Sequence, residues 1–154
     1  MKFAGKKSLS FYMKLLLIVI MTATVAVVAA LPWVVEMYLK IDYGVYNSHA
    51  RTVLLIVLYP CGICAFFVEN ELRRIFKTLE DMNPFIESNV KSLNRMGFLM
   101  VAVFAMFIIK IALLNTIMTM ICAFAFIILA IFCFVLADVF RQAVIYKQEN
   151  DLTI

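Results

Sequence analysis

The chain has 154 residues, of which 66% are apolar and only 16% are charged, and its formal net charge is +4. A soluble domain usually carries about 25% charged residues, because a domain of this size must cover its surface with polar groups. The composition therefore excludes an ordinary soluble domain. It predicts an all-α membrane protein, with residues 1–154 forming a single transmembrane domain whose main solvent is lipid.

Four long apolar runs predict a bundle of four transmembrane helices, because each can cross a hydrocarbon core of about 30 Å. The predicted spans are residues 12–35, 52–69, 96–114 and 117–137. The first run is longer than the apolar part of a signal peptide, so we expect an uncleaved helix. Between the spans, residues 36–50 are predicted to form a polar and aromatic loop, and Asn115-Thr116 the tight turn of a hairpin.

The distribution of basic residues predicts the orientation of the bundle. Most of the 14 lysines and arginines lie before the first span, between the second and third spans, or after the fourth. By the positive-inside rule, both termini and residues 70–95 are expected in the cytosol. Direct binding to nucleic acid is not expected, because the chain has no clustered basic stripe.

The segment between the second and third spans is predicted to form two cytosolic amphipathic helices. The first has one apolar face and prolongs the second span. The residues of this face are Leu72, Ile75, Phe76 and Leu79. Asn83 would then cap a second helix with Pro84 at its first position. These faces either pack on each other at the membrane surface or offer a platform for a cytosolic partner.

Within the predicted spans, two features carry more specific expectations. Ala123, Ala130 and Ala137 recur every seven residues, which predicts a seam of close helix packing. Lys110 is the one charge clearly inside a span, and it lies near the outer end, where its ammonium group can reach the interface. A contact between Lys110 and an anionic lipid or effector is the functional alternative.

The carboxylates at the inner boundaries are predicted to form ion pairs along their own helices. Glu69 is expected to pair with Arg73, and Asp138 with Arg141. No carboxylate is expected at the middle depth of the bilayer. This argues against a proton-coupled transporter or an ion pore, which need polar groups along the path.

Enzymatic chemistry is not predicted. The only histidine, His49, has no cysteine or paired carboxylate near it in sequence. Cys61 and Cys64 would lie at lipid depth, where formation of a thiolate is disfavoured. We therefore expect no catalytic residues, no metal site and no cofactor.

Two motifs in the sequence resemble a known family. Asn83-Pro84-Phe85 is followed by Asn89-Val90-Lys91, Leu93, Arg95 and Gly97, and the chain ends in residues 149–154, Glu-Asn-Asp-Leu-Thr-Ile. Together they resemble the central signature and the ending of the bacterial membrane family called domain of unknown function 2975 (DUF2975), over essentially the whole chain. Ile86 departs from the small hydroxyl residue that is frequent there. Members are typical of Gram-positive bacteria, which implies the plasma membrane as the location. Their genes often neighbour one for a small helix-turn-helix regulator, which implies a regulatory partnership.

The resemblance leads to a first hypothesis, an integral membrane regulatory or sensor protein that binds a small cytosolic helix-turn-helix transcription regulator. A terminal carboxylate after an apolar residue also suits capture by a partner's backbone. The candidate partner-binding residues are Asn83, Pro84, Phe85, Asn89, Val90, Lys91, Leu93, Arg95, Asp151, Leu152, Thr153 and Ile154. A second hypothesis is an immunity or resistance protein against a bacteriocin or toxin, and a third is a small-solute transporter or channel. Assembly into a homo-oligomer stays open.

Overall fold

A computed structural model of the chain describes residues 4–43, 48–81, 83–114 and 116–151. These residues form four α-helices and no strand. The helices are α1 (Ala4–Tyr43), α2 (Ser48–Glu80), α3 (Glu87–Leu113) and α4 (Ile117–Asp151). Within the described ranges, each helix contains a window long and apolar enough to cross a membrane. The predicted all-α class and the four helices of spanning length are confirmed.

The helices extend beyond the predicted spans. As expected, α2 continues past residue 69 to Glu80. The fourth helix also continues beyond its predicted span, which ends at residue 137, to Asp151. The predicted loop at 36–50 is wrong for residues 36–43 and 48–50, because α1 continues through Pro32 to Tyr43 and α2 already begins at Ser48. Residues 44–47 of that prediction lie outside the described part of the chain. The reason is packing between the two helix ends. Leu39 is 1% exposed and lies in a buried cluster with Val35, Ala50 and Leu54, so burial of these side chains supports the helix where the sequence pattern suggested a loop.

The helices pack as an open row. Among the described residues, Cα atoms of different helices come within 8 Å of each other only between helices consecutive in the chain, so α1 and α4 form the two edges. The alanine seam on α4 is confirmed, since Ala123, Ala130 and Ala137 are all buried. Small side chains at this seam let the α3 and α4 backbones approach closely.

Two polar contacts set the register of α1 against α2. Lys14 Nζ lies 2.6 Å from Glu80 Oε2, and the Thr24 hydroxyl donates to Glu69 Oε1 at 2.5 Å. Residues 14–24 of α1 therefore lie opposite residues 69–80 of α2. The two predicted spans, 12–35 and 52–69, therefore do not lie side by side along their full lengths. The part of α1 that lies beside the apolar half of α2 begins near Thr24.

Most of the described charged residues lie at one end of the row, which we call the charged end (residues 69–95 of α2, α3 and their connection, and 138–151 of α4). The predicted pair of Asp138 with Arg141 is confirmed at 3.5 Å. The predicted pair of Glu69 with Arg73 is wrong. Glu69 turns towards α1, where one oxygen accepts from Thr24 and the other is buried with no hydrogen-bond partner among the described residues.

Candidate partner-binding surface

The connection between α2 and α3 forms the tip of the charged end. α3 begins at Glu87, and its N-cap is Ile86 in extended conformation with no capping side chain. The prediction that Asn83 caps this helix and that Pro84 is its first residue is therefore wrong. The side chain of Asn83 accepts a hydrogen bond from Lys147 of α4, and the Pro84 carbonyl accepts from the Ile86 amide. Both groups are thus engaged in holding the connection.

Asn89 ties this connection to both helices. Its Nδ2 atom donates to the Thr78 hydroxyl at 2.6 Å and to the Pro84 carbonyl at 2.7 Å. Thr78 in turn donates to the Ile75 carbonyl of α2 at 2.7 Å. Asn89 is 1% exposed, and burial makes such satisfied polar networks rigid. Asn89 is therefore a residue that fixes the tip of the charged end.

A second polar cluster, centred on Glu71, joins α2 to α3. It lies closer to the apolar part of the helices than the cluster around Asn89 does. Glu71 Oε1 accepts from Arg74 at 3.0 Å and from Arg95 at 3.2 Å, while Oε2 accepts from the Ser92 hydroxyl at 2.7 Å. Burial by itself would raise the pKa of the Glu71 carboxyl. The hydrogen bonds from Ser92 and Arg95 and the charges of Arg74 and Arg95 outweigh that effect, so the net pKa is lowered. Glu71 is an anion held between two cations.

The connection is also fastened to α4. Lys147 Nζ lies 2.6 Å from Asn83 Oδ1, and the rings of Phe85 and Phe140 pack with centroids 5.5 Å apart and an interplanar angle of 56°. A polar and an aromatic contact thus join the tip to the last turns of α4. The charged end is one composite surface built from two segments that are distant in sequence, 69–95 and 138–151.

The structure divides the predicted partner-binding residues into two groups. Asn89, Val90 and Leu93 are buried, so a partner cannot touch them while the helices stay packed, and Pro84 is half-buried. The exposed members are Asn83, Phe85, Lys91 and Arg95. Asp151 is the last residue of α4, but its side chain and residues 152–154 lie outside the described part of the chain.

Four described large apolar side chains at the charged end are exposed and were not among the candidate partner-binding residues. They are Leu79, Val139, Ile145 and Tyr146, of which Tyr146 is 66% exposed. The sequence contains the signal that would have found them, since Ile145 and Tyr146 lie in the polar extension of the fourth helix, where no lipid is expected to cover them. With Phe85 they give the charged end an apolar component.

Lys110 lies at the opposite end, next to the turn between α3 and α4. Its ammonium group lies 3.5 Å from the Thr116 hydroxyl and also donates to the hydroxyl of Thr119, which is 2% exposed. The predicted contact of Lys110 with a lipid or anion is not tested by this geometry. The cation nevertheless already has two partners inside the hairpin.

The fold and its charged end together define an all-helical protein with four helices of membrane-spanning length. The family described as Protein of unknown function (DUF2975) matches residues 44–154, which is well over half of the chain. The protein belongs to this family, as the resemblance of its motifs indicated. The match leaves out α1, which packs only on α2 among the described helices. No curated protein and no solved structure matches the chain significantly.

Proposed function

We propose that this protein is an integral membrane regulator or sensor whose charged end faces the cytosol of a bacterial cell and binds a small helix-turn-helix transcription regulator. The family resemblance supports this, because genes of such regulators often neighbour those of the family. The distribution of cations supports the orientation. Most described arginines and lysines lie at the charged end, which by the positive-inside rule stays in the cytosol.

The observation that carries the proposal is the set of apolar side chains exposed at this end. Phe85 and Leu79 are each 43% exposed, and Ile145 and Tyr146 are more exposed still. They lie beside charged residues, where the surface faces water or headgroups. Exposed aromatic and aliphatic side chains with a charged rim are typical of protein–protein interfaces, and aromatic residues dominate the binding energy there.

The rigidity of the surface favours the same function. Asn89, Glu71 and Lys147 hold the connection and the end of α4 in one arrangement. A surface that is already ordered loses less conformational entropy when a partner binds. A change in helix packing within the membrane would alter this surface, and this is the route by which a sensed compound would release the regulator.

The test is a crosslinked pull-down of the full chain from native membranes, with Tyr146→Ser and Phe85→Ser compared with Ile117→Ser. Ile117 is 78% exposed and lies at the opposite end, so it is a matched control for removing an exposed apolar side chain. We expect the wild type and Ile117→Ser to recover an identified DNA-binding regulator, and the other two variants to lose it. Recovery of no such regulator, or equal recovery by all variants, would contradict the proposal.

Orientation is tested separately with reporter fusions after Asp81 and after Asn150. Both fusions are expected to report the cytosol. A result that places them on opposite sides of the membrane would remove the surface on which the proposal depends.

A further inference from the structure

A groove between α2 and α3 lies at the level where the apolar part of the protein meets the charged end. It has a volume of about 370 Å³ and is lined by Phe67, Glu71, Arg95, Phe98 and Leu99. Phe67 and Phe98 are exposed, so the groove opens outward from the row of helices. The wall towards the apolar part of the helices is formed by Phe67, Phe98 and Leu99, and the rim towards the charged end carries the guanidinium group of Arg95.

The charges around the groove are unbalanced in favour of an anion. Both Arg74 and Arg95 donate to the same oxygen of Glu71, and the other oxygen accepts from Ser92. Two cations therefore face one carboxylate, which leaves one positive charge uncompensated. Each arginine uses only one of its several N–H donors in these contacts, and the Arg95 side chain is 60% exposed at the mouth.

The neighbouring carboxylate on α2 does not cancel this charge. It belongs to Glu69, which turns to α1 and accepts from Thr24. Among the described residues, the one acidic side chain that lines the groove is Glu71, which already accepts hydrogen bonds from three donors. A ligand with an ammonium group would therefore find no unoccupied acidic partner among the described lining residues, whereas a phosphate would find guanidinium donors with the fork geometry that binds it well.

We propose that this groove binds an anionic phospholipid of the surrounding bilayer, with its phosphate on Arg95 and its acyl chains along Phe67, Phe98 and Leu99. The polar and apolar parts of the groove are arranged as they are in such a lipid. The apolar side chains lie towards the membrane-spanning part of the helices, and the cation lies at its boundary. The proposal does not depend on the helix-turn-helix partner. The groove lies near the charged end of the row of helices, whereas Lys110 lies at the opposite end, beside the turn between α3 and α4.

Native mass spectrometry of the detergent-purified full chain tests the proposal, using phosphatidylglycerol and phosphatidylethanolamine with identical acyl chains. We expect the wild type to bind phosphatidylglycerol about tenfold more tightly, because the ammonium group of phosphatidylethanolamine offsets the charge of its phosphate and finds no unoccupied carboxylate in the groove. Arg95→Gln should lose this preference. Arg141→Gln is the matched control, because Arg141 has nearly the same exposure, pairs with Asp138 and lies outside the groove, and it should keep the preference.

Phe67→Ala provides a second variant that leaves the Glu71 cluster intact. It should weaken binding of both lipids, because Phe67 is part of the apolar wall on which the acyl chains lie. This variant tests whether the lipid lies in the groove even if Arg95→Gln does not fold. Inorganic phosphate in large excess should not displace the lipid, because it cannot use the apolar wall. Equal affinity of the wild type for the two lipids, equal losses in Arg95→Gln and Arg141→Gln, or displacement by inorganic phosphate would overturn the proposal.

Discussion

The amide of Asn89 lies 2.6 Å from the hydroxyl of Thr78 and so joins the first turn of α3 to the last turns of α2. The same nitrogen donates to the Pro84 carbonyl at 2.7 Å, in the middle of the connection. Because Asn89 is 1% exposed, water cannot replace either bond. One side chain therefore closes the tip of the charged end.

Asn89→Asp tests this role with almost no change in volume. The carboxylate would have no N–H to donate to the Pro84 carbonyl, so we expect a loss of about 2–3 kcal/mol in the free energy of unfolding. Asn150→Asp, at the exposed end of α4, is the control and should change stability little. The measurement is thermal unfolding of the purified protein in detergent. Equal stability of the two variants would show that Asn89 is not structural.

The Glu71 cluster predicts a loss of stability in acid. The folded-state pKa of Glu71 is lowered from the ordinary value of 4.5, so its contribution is fully present above that value and is lost as pH falls through the folded pKa. Glu71→Gln should be less stable than the wild type at neutral pH, and the two stability curves should converge below pH 4.5.

The control for this prediction is Asp81→Asn, since Asp81 is an exposed carboxylate just after α2. This variant should keep the acid-dependent part of the wild-type curve. The measurement is the unfolding midpoint in detergent as a function of pH. If Glu71→Gln showed the same acid loss as the wild type, other carboxylates would have to be responsible.

Much of the helical framework could be predicted from sequence because it depends on local composition. Runs of apolar residues long enough to cross a bilayer become helices whatever surrounds them. The seven-residue spacing of Ala123, Ala130 and Ala137 likewise predicted a buried seam, because small residues at that period lie on one helix face. The continuation of α2 past its apolar run followed from the spacing of Leu72, Ile75, Phe76 and Leu79, which places them on one helix face.

The predictions that were wrong concern residues whose conformation or partner is determined by contacts between helices. Residues 36–43 are helical because Leu39 packs on α2, and the spacing of polar and aromatic residues does not contain that contact. Glu69 faces Thr24 of α1, 45 residues away in the chain, and not the arginine on its own helix. Asn89 was expected on a partner-binding face, yet its hydrogen bonds to Thr78 and Pro84 bury it. A sequence pattern identifies a shared face but not what covers it.

The approach of α3 to α4 at Gly97 gives a further prediction. A Cβ atom at Gly97 would lie 2.7 Å from Phe134 Cε1. On an exposed helix surface Gly→Ala would stabilise by about 1 kcal/mol, but here the clash should reverse the sign, and we expect Gly97→Ala to lose about 1 kcal/mol. Phe134→Leu removes the ring, so adding Gly97→Ala to that variant should cause no further loss. Additive effects in this cycle, measured by unfolding in detergent, would show that the ring is not the obstacle.

Lys110 and Thr119 contact each other in the hairpin of α3 and α4, at the end of the molecule opposite to the charged end. We therefore expect the effects of their substitutions on stability to be coupled. Thr119→Val removes a buried hydroxyl that accepts from the Lys110 ammonium group, and we expect a loss of about 1–3 kcal/mol in the free energy of unfolding because the cation is left with Thr116 alone. Lys110→Met in the same chain removes the unsatisfied group, so the double variant should recover most of that loss. The control is Thr22→Val, at an exposed position of α1 where the hydroxyl donates to carbonyls of its own helix, and it should have little effect. If Lys110→Met made Thr119→Val worse, the lysine would contribute through a contact outside the hairpin, such as an anionic lipid.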